Sequence, residues 1–240
     1  MLRCVSEGTV GETRGAAPGR LLGRGRDTDV YDLGDGKVLR RYRADFDHSA
    51  EIGAMRHLHE HGFPVPQLFS ADGADMIVER IDGPTMLDAL IRYPWRARRY
   101  GRMLADLHRQ LHAITPPPEL RTAGTPREAV LHLDLHPGNV LLSPRGPVVI
   151  DWSTASAGPA GADLARTIVT MTIAQADIPW PLRAAMEVVR RSFVRAFRGA
   201  AHVDPQPHLA GACRRWLGDV NAKPVELQRV RAMLATLEQA

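Results

Sequence analysis

A short segment in the second half of the chain carries the residue types that phosphoryl transfer requires. Asp134 and Asn139 flank a Pro-Gly turn, and Asp151 follows at the end of the next apolar run. Phosphoryl transfer needs a carboxylate that orients the acceptor hydroxyl and takes its proton, and oxygen ligands that hold Mg²⁺ against the nucleotide phosphates. The types and order of these side chains predict Asp134 as the catalytic carboxylate and Asn139 with Asp151 as the metal ligands.

The residues around these three side chains form a recognisable motif. The chain reads His-Leu-Asp-Leu-His-Pro-Gly-Asn from His132 to Asn139, and Val-Val-Ile-Asp-Trp over residues 148–152. This motif resembles the catalytic and metal loops of the aminoglycoside-phosphotransferase family of small-molecule kinases, within the protein-kinase-like superfamily. The resemblance implies ATP and Mg²⁺ as cofactors and a hydroxyl of a small molecule as the acceptor. It also implies an α+β, two-lobed protein-kinase-like fold.

A glycine-rich turn near the start of the chain resembles the nucleotide loop of the same family. Gly25 and Thr28 lie between two β-like runs. A glycine lets backbone N–H groups approach phosphates closely, and the threonine adds a hydroxyl donor. We therefore expect both residues to contact the nucleotide.

The resemblance further implies a cation paired with a helix carboxylate, which together position the phosphates. Arg40 shares one face of the predicted third strand with Val38, because side chains alternate along a strand. On the next helix, Glu51 lies on the same face as Met55 and Leu58. Arg40 and Glu51 are the predicted pair, although the family usually has lysine at this strand position, and a guanidinium is not equivalent to an ammonium.

Residues 77–83 resemble the hinge that holds the adenine of ATP in this family. There the contacts come from the backbone, which here implies the carbonyl of Glu79 and the N–H of Ile81. Only twelve positions separate Asp151 from Asp163, too few for a long activation segment. This favours a small-molecule kinase over a protein kinase.

The pattern of turns and apolar residues predicts the elements that carry these side chains. Residues 1–18 form a flexible tail, residues 19–82 a small β-rich N-lobe with one helix, and residues 83–240 a larger helical C-lobe. The catalytic motif begins in a predicted strand over residues 130–135. Amphipathic helices are expected over residues 182–198 and 224–238.

Composition limits the classes of partner and compartment. The net charge is +4, but the basic residues are scattered and only 5% of residues are aromatic, so we expect no nucleic-acid site. No apolar run approaches the length that spans a membrane, so we expect no membrane partner. The chain has two cysteines, which suits a reducing cytoplasm. The sequence leaves the oligomeric state, the acceptor, and the choice between ATP and GTP open.

Two other functions remain open at this stage. His132, Asp134 and His136 would project to one side of a continuous strand, as the ligands of a metal-dependent hydrolase do. A catalytically weak pseudokinase that binds nucleotide would account for arginine at position 40. Bound zinc would support the hydrolase, and nucleotide binding without turnover would support the pseudokinase.

Overall fold

An antiparallel five-stranded sheet dominates the first part of the chain in the computed structural model. The model describes residues 19–25, 27–43, 47–173, 180–218 and 222–239, so the predicted tail over residues 1–18 lies outside the described residues. The strand order is β1-β2-β3-β5-β4. Its strands are β1 (Arg20–Arg24), β2 (Thr28–Gly34), β3 (Lys37–Tyr42), β4 (Leu68–Asp72) and β5 (Asp75–Glu79). Apolar residues at alternating positions of β5 are buried, as expected of a sheet that covers a core on one face.

Helices make up most of the remaining chain. The described helices are α1 (Ser49–Glu60), α2 (Met86–Arg92), α3 (Ala97–His112), α4 (Ala160–Ile173), α5 (Trp180–Gly199), α6 (Leu209–Leu217) and α7 (Pro224–Glu238). Two short antiparallel pairs lie among them, β6 (Ala129–Leu131) with β9 (Ser156–Gly158) and β7 (Val140–Ser143) with β8 (Gly146–Val149). The mixed fold, a sheet followed by a helical region, confirms the predicted fold class. None of the described helices is both long and apolar enough to cross a membrane.

The contacts divide the chain into two units, a sheet unit and a helical unit. Among the described residues, the sheet unit comprises those before Asp47 together with Leu68–Arg80, and the helical unit comprises Asp47–Gln67 and those from Ile81 onward. The last change of unit along the chain, between Arg80 and Ile81, falls close to the predicted lobe boundary after residue 82, and that boundary stays a prediction. Helix α1 groups with the helical unit, although the sequence analysis placed it in the N-lobe. The segment that follows α1 accounts for this grouping, because the Phe63 ring packs edge-on against Trp152 with centroids 5.7 Å apart.

Helix α3 forms the centre of the helical unit. Its buried side chains recur at helical spacing, and they include Tyr100, Leu104, Leu107 and Leu111. Burial of each leucine contributes about 1.5–3 kcal/mol relative to exposure. The same buried face carries His108, so packing of α3 also fixes the position of a polar group near the catalytic motif.

Candidate active site

The backbone of the catalytic motif leaves the β-conformation earlier than the sequence predicts. Strand β6 ends at Leu131, and Leu133 has a positive φ of 62°. The predicted strand over residues 130–135 is therefore too long, because a leucine in this region of φ breaks the alternation of a strand. Asp151 also has a positive φ, of 67°. Such conformations cost about 1–3 kcal/mol each and persist only where surrounding contacts hold them.

Asp163 supplies the contacts that hold the strained backbone at Leu133. Its carboxylate accepts hydrogen bonds from the backbone N–H groups of His132 (3.0 Å) and Leu133 (2.6 Å). A third hydrogen bond comes from His112 Nε2 at 3.0 Å. Burial raises the pKa of Asp163, but the hydrogen bond from His112 and the nearby histidines outweigh burial and hold the pKa well below its ordinary value. Asp163 is thus an ionised, buried residue whose hydrogen bonds clamp the backbone of the motif.

His132 orients the motif from within the core. Its ring is fully buried, and its Nδ1 accepts from the backbone N–H of Asp134 at 3.2 Å. Nδ1 must therefore be unprotonated, so Nε2 carries the hydrogen and donates to the carbonyl of Ile150 at 3.1 Å. The imidazole links the segment before Asp134 to the segment before Asp151.

Asp134 and Asn139 lie within hydrogen-bonding distance of each other. The amide nitrogen of Asn139 donates to the Asp134 carbonyl at 2.9 Å and to Asp134 Oδ2 at 3.3 Å. His136 Nε2 lies 3.7 Å from the same Oδ2, while His136 Nδ1 accepts from the N–H of Gly138 at 3.0 Å. Burial lowers the pKa of His136, although the carboxylate of Asp134 opposes this. Asp134 keeps 39% of its side chain exposed, which leaves it accessible to an acceptor.

The residue before Asp151 is hydrogen-bonded to Asn139 through the backbone. The N–H of Ile150 donates to the Asn139 carbonyl at 3.0 Å, which joins the two loops one residue before Asp151. Ser153 Oγ donates to Asp151 Oδ1 at 2.9 Å. The two predicted metal ligands therefore come from loops that are hydrogen-bonded to each other.

The donor atoms at this position suit a hard divalent cation. Because the amide nitrogen of Asn139 faces Asp134, its Oδ1 points the opposite way. An amide oxygen and a carboxylate are the ligands that Mg²⁺ prefers, and Mg²⁺ completes its shell with water and substrate phosphates. The residues present thus fit Mg²⁺ bound through Asn139 and Asp151.

The geometry argues against the zinc-hydrolase alternative. Both ring nitrogens of His132 are occupied by backbone hydrogen bonds, and Leu133 interrupts the strand that would align His132, Asp134 and His136. Among the described residues, no group of three or more His, Cys, Asp or Glu side chains is arranged to hold a metal ion.

In the sheet unit, the predicted nucleotide residues lie in the turn after β1 (Gly25), on β2 (Thr28), on β3 (Arg40) and at the end of β5 (Glu79). The Gly25 N–H donates to the Thr28 carbonyl at 2.7 Å, so it is engaged within the turn. Arg40 lies in the middle of β3, between Val30 of β2 and Met76 of β5, and its guanidinium lies 5.5 Å from the centre of the Tyr42 ring. Glu79 ends β5.

The neighbouring Arg41 is engaged elsewhere, as expected if it faces the other way from Arg40. Its guanidinium binds both oxygens of Asp75, at 2.8 and 2.7 Å. Glu51 and Ile81 belong to the helical unit, and Glu51 is buried at 2% exposure. The Arg40–Glu51 pair and the adenine contacts of Glu79 and Ile81 stay predictions.

A chain of histidines lies behind the motif, and the sequence motifs did not reveal it. His112 donates to Asp163, and its Nδ1 lies 3.2 Å from His202 Nε2. His108 donates from Nδ1 to the Leu104 carbonyl, and burial lowers its pKa to about 4. The available signal was the four-residue spacing of His108 and His112, which puts both rings on the buried face of α3.

Comparison with known proteins assigns the chain to a family. Over residues 18–129 and 117–203, more than half of its length, the sequence matches the family described as "Phosphotransferase enzyme family". The chain belongs to this family. No curated protein sequence matches the chain.

Solved structures share the fold at low sequence identity. A Plasmodium vivax ethanolamine kinase aligns with a TM-score of 0.60 at 12% identity, covering 90% of this chain and 82% of that one. An ADP-bound aminoglycoside phosphotransferase aligns with a TM-score of 0.59 at 12% identity, covering 91% and 92%. A choline/ethanolamine kinase family protein from Mesorhizobium loti aligns with a TM-score of 0.57 at 15% identity, covering 95% and 89%. At these identities the alignments establish the kinase-like fold.

Proposed function

We propose that this chain is a kinase that transfers the γ-phosphoryl group of ATP to a hydroxyl of a small molecule in the presence of Mg²⁺. The observation that carries the proposal is the arrangement of Asp134, Asn139 and Asp151. Hydrogen bonds hold Asp134 against Asn139, and the N–H of Ile150, the residue before Asp151, donates to the Asn139 carbonyl. These are the side chains that phosphoryl transfer requires.

Asp134 is the residue that we propose acts on the acceptor. Its partly exposed carboxylate would accept a hydrogen bond from the acceptor hydroxyl, align the oxygen with the phosphorus and take the proton. The Asn139 amide holds one oxygen of this carboxylate in place. His136 Nε2 faces the same oxygen at 3.7 Å, while its Nδ1 accepts from the N–H of Gly138.

Asn139 and Asp151 would hold Mg²⁺ through oxygen atoms. When bound, the metal supplies positive charge that stabilises the phosphate oxygens during transfer. The protein contributes the fixed spacing of the two ligands, because both belong to loops anchored by His132 and Asp163.

We propose that the remaining predicted residues bind the nucleotide. Gly25 leaves room for the phosphates, and Thr28 offers its hydroxyl. Arg40 would contact the phosphates with Glu51 as its partner, and the backbone of Glu79 and Ile81 would hold the adenine. The ADP bound to the aminoglycoside phosphotransferase relative supports nucleotide binding by this fold.

The acceptor, we propose, is neutral or anionic, or carries at most one positive charge. The described carboxylates that follow Asp163 are already engaged. Glu187 binds Arg190 and Arg191, Asp204 accepts from the backbone of Gln206, Glu226 caps helix α7, and Glu238 binds Arg214. A polycationic aminoglycoside needs several carboxylates that can pair with its ammonium groups.

A thermal-shift screen followed by an acceptor panel tests the proposal. ATP with Mg²⁺ at about 100 times its Kd should stabilise the protein by about 2.7 kcal/mol. The panel should compare neutral hydroxylated metabolites, choline-like amines and kanamycin-like polyamines, with phosphorylated product detected by mass spectrometry. Efficient phosphorylation of the polyamines, at kcat/KM above about 10⁴ M⁻¹s⁻¹, would refute the acceptor proposal. Nucleotide binding without turnover on any acceptor would instead support the pseudokinase alternative.

A further inference from the structure

A groove between helices α3 and α5 is lined by four arginines. Its volume is about 560 Å³, and Arg98 and Arg102 line it from α3 while Arg191 and Arg195 line it from α5. Within each helix the two arginines are four residues apart, so they lie on the same face. The groove belongs entirely to the helical unit, and none of the residues proposed for catalysis lines it.

The two arginine rows face one groove because the helices approach each other closely. A Cβ atom at Gly101 would lie 2.5 Å from the Phe193 carbonyl oxygen and 3.2 Å from Ala196 Cβ. Any other residue at position 101 would therefore push α3 away from α5. Gly101 directly precedes Arg102, so this close approach brings the arginines of the two helices to one groove.

The positive charge of the groove is only partly balanced. No carboxylate lines it, and Glu187, which binds Arg191 Nε at 2.7 Å, is shared with Arg190. Within the part of the chain that the structure describes, Arg98, Arg102 and Arg195 form no ion pair with a carboxylate. Like charges at this spacing repel one another and destabilise the helices that carry them. A bound anion would remove this repulsion.

We propose that this groove binds a compact anion that carries at least two phosphate groups. Guanidinium groups bind phosphate through paired N–H donors, and four of them around one concavity can engage more than one phosphate at once. The volume lies in the range of small-molecule sites. A nucleic acid would need basic contacts spread along a track, whereas these four line a single groove. Ser192 adds a hydroxyl to the lining.

Calorimetric titration of the full chain with inorganic tripolyphosphate, without Mg²⁺ and at about 0.15 M salt, tests the proposal. We expect saturable binding that the double variant Arg98→Gln/Arg195→Gln weakens by about tenfold or more, since two charge-assisted contacts are removed. Arg56→Gln/Arg231→Gln is the matched control, because it removes the same charge from exposed positions on α1 and α7. Any binding of tripolyphosphate at the proposed nucleotide site persists in both variants, so the component lost only in the first variant reports on the groove.

Orthophosphate should bind at least about tenfold more weakly than tripolyphosphate, because it engages fewer guanidinium groups. Equal weakening in the two double variants would overturn the proposal, since it would mean that overall charge alone attracts the anion. Absence of a component that depends on Arg98 and Arg195 would overturn it as well. Tighter binding of a single-stranded RNA or a DNA duplex than of tripolyphosphate, dependent on the same arginines, would overturn the choice of a small anion.

Discussion

Replacement of Asp163 by asparagine tests whether this carboxylate holds the catalytic motif in place. Its Oδ2 accepts from His132 N and His112 Nε2, and its Oδ1 accepts from Leu133 N. Asparagine keeps most hydrogen bonds when its side-chain oxygen takes the Oδ2 position, which accepts two of the three bonds. Its NH₂ group then faces the N–H of Leu133, and two donors cannot form a hydrogen bond. The variant therefore loses one buried hydrogen bond outright and the negative charge that strengthens the other two.

The size of the effect follows from these contacts. A buried N–H without an acceptor costs about 1–3 kcal/mol, and loss of charge assistance costs about 1 kcal/mol for each remaining bond. Asp163 is fully buried, so solvent does not screen these terms. The sum is about 3–5 kcal/mol, and about 2–4 °C per kcal/mol for a chain of this size gives a fall in Tm of about 6–20 °C. Leu133 should relax from its positive φ and move Asp134, which lowers phosphoryl transfer while nucleotide affinity stays unchanged.

Thermal melting measures the stability effect, and steady-state transfer with nucleotide titration measures the functional one. Asp106→Asn is the control, because Asp106 is 47% exposed, pairs with Arg109 on the surface of α3 and should contribute less than about 1 kcal/mol. The pKa of Asp163 is lowered in the folded state, so its stabilisation is complete above the unfolded value near 3.8 and is lost as pH falls through the folded value. The penalty should therefore be constant at neutral pH and shrink only in acid. A Tm within about 2 °C of wild type would refute the clamp.

Four further changes test the site. Asp134→Asn should lower phosphoryl transfer by about 10²–10⁴-fold and spare nucleotide binding, because the proposed base is lost. Asp151→Ala should weaken Mg²⁺-nucleotide binding in a titration, because a metal ligand is lost. Gly138→Ala should lower transfer, because a Cβ there would lie 2.8 Å from Cε1 of His136. Burial lowers the pKa of His108 to about 4, so as pH falls the unfolded chain takes up this proton before the folded chain does. The wild type should therefore lose about 3 kcal/mol of unfolding free energy between about pH 6.5 and 4. His108→Gln should lose less over the same range.

Each of these changes has an outcome that contradicts its reasoning. Turnover of Asp134→Asn within a few-fold of wild type would remove Asp134 from the chemistry, and unchanged Mg²⁺-nucleotide affinity in Asp151→Ala would remove Asp151 from the metal site. Gly53→Ala is the control for Gly138→Ala, because no atom lies within 4 Å of its added Cβ. Equal activity of the two alanine variants would show that phosphoryl transfer does not depend on the position of the His136 ring. If the stability of His108→Gln falls with pH as steeply as that of the wild type, groups other than His108 cause the loss of stability in acid.

Local patterns predicted much of the fold because the forces involved are local. Tyr100, Leu104, Leu107 and Leu111 recur at helical spacing in the sequence and form the buried face of α3. Gly62, with its φ of 73°, follows the end of α1, as glycine commonly does after a helix. The order of Asp134, Asn139 and Asp151 named the candidate site, because the chemistry fixes residue types that are visible without coordinates. The same patterns could not show that β6 stops at Leu131, because the turn at Leu133 depends on Asp163, thirty residues further along the chain.

The sequence by itself determined the family, the secondary-structure order and the residue types available for phosphoryl transfer. Only the tertiary structure decided which side chains and backbone groups hold Asp134, Asn139 and Asp151 in place. Hydrogen bonds from His132 to Ile150 and from Ile150 to Asn139 join the loops of Asp134 and Asp151, and the buried charge of Asp163 is tied to His112. The arginine groove likewise exists only where Gly101 lets two helices meet. These features depend on contacts between distant segments, and such contacts follow from packing of the whole chain.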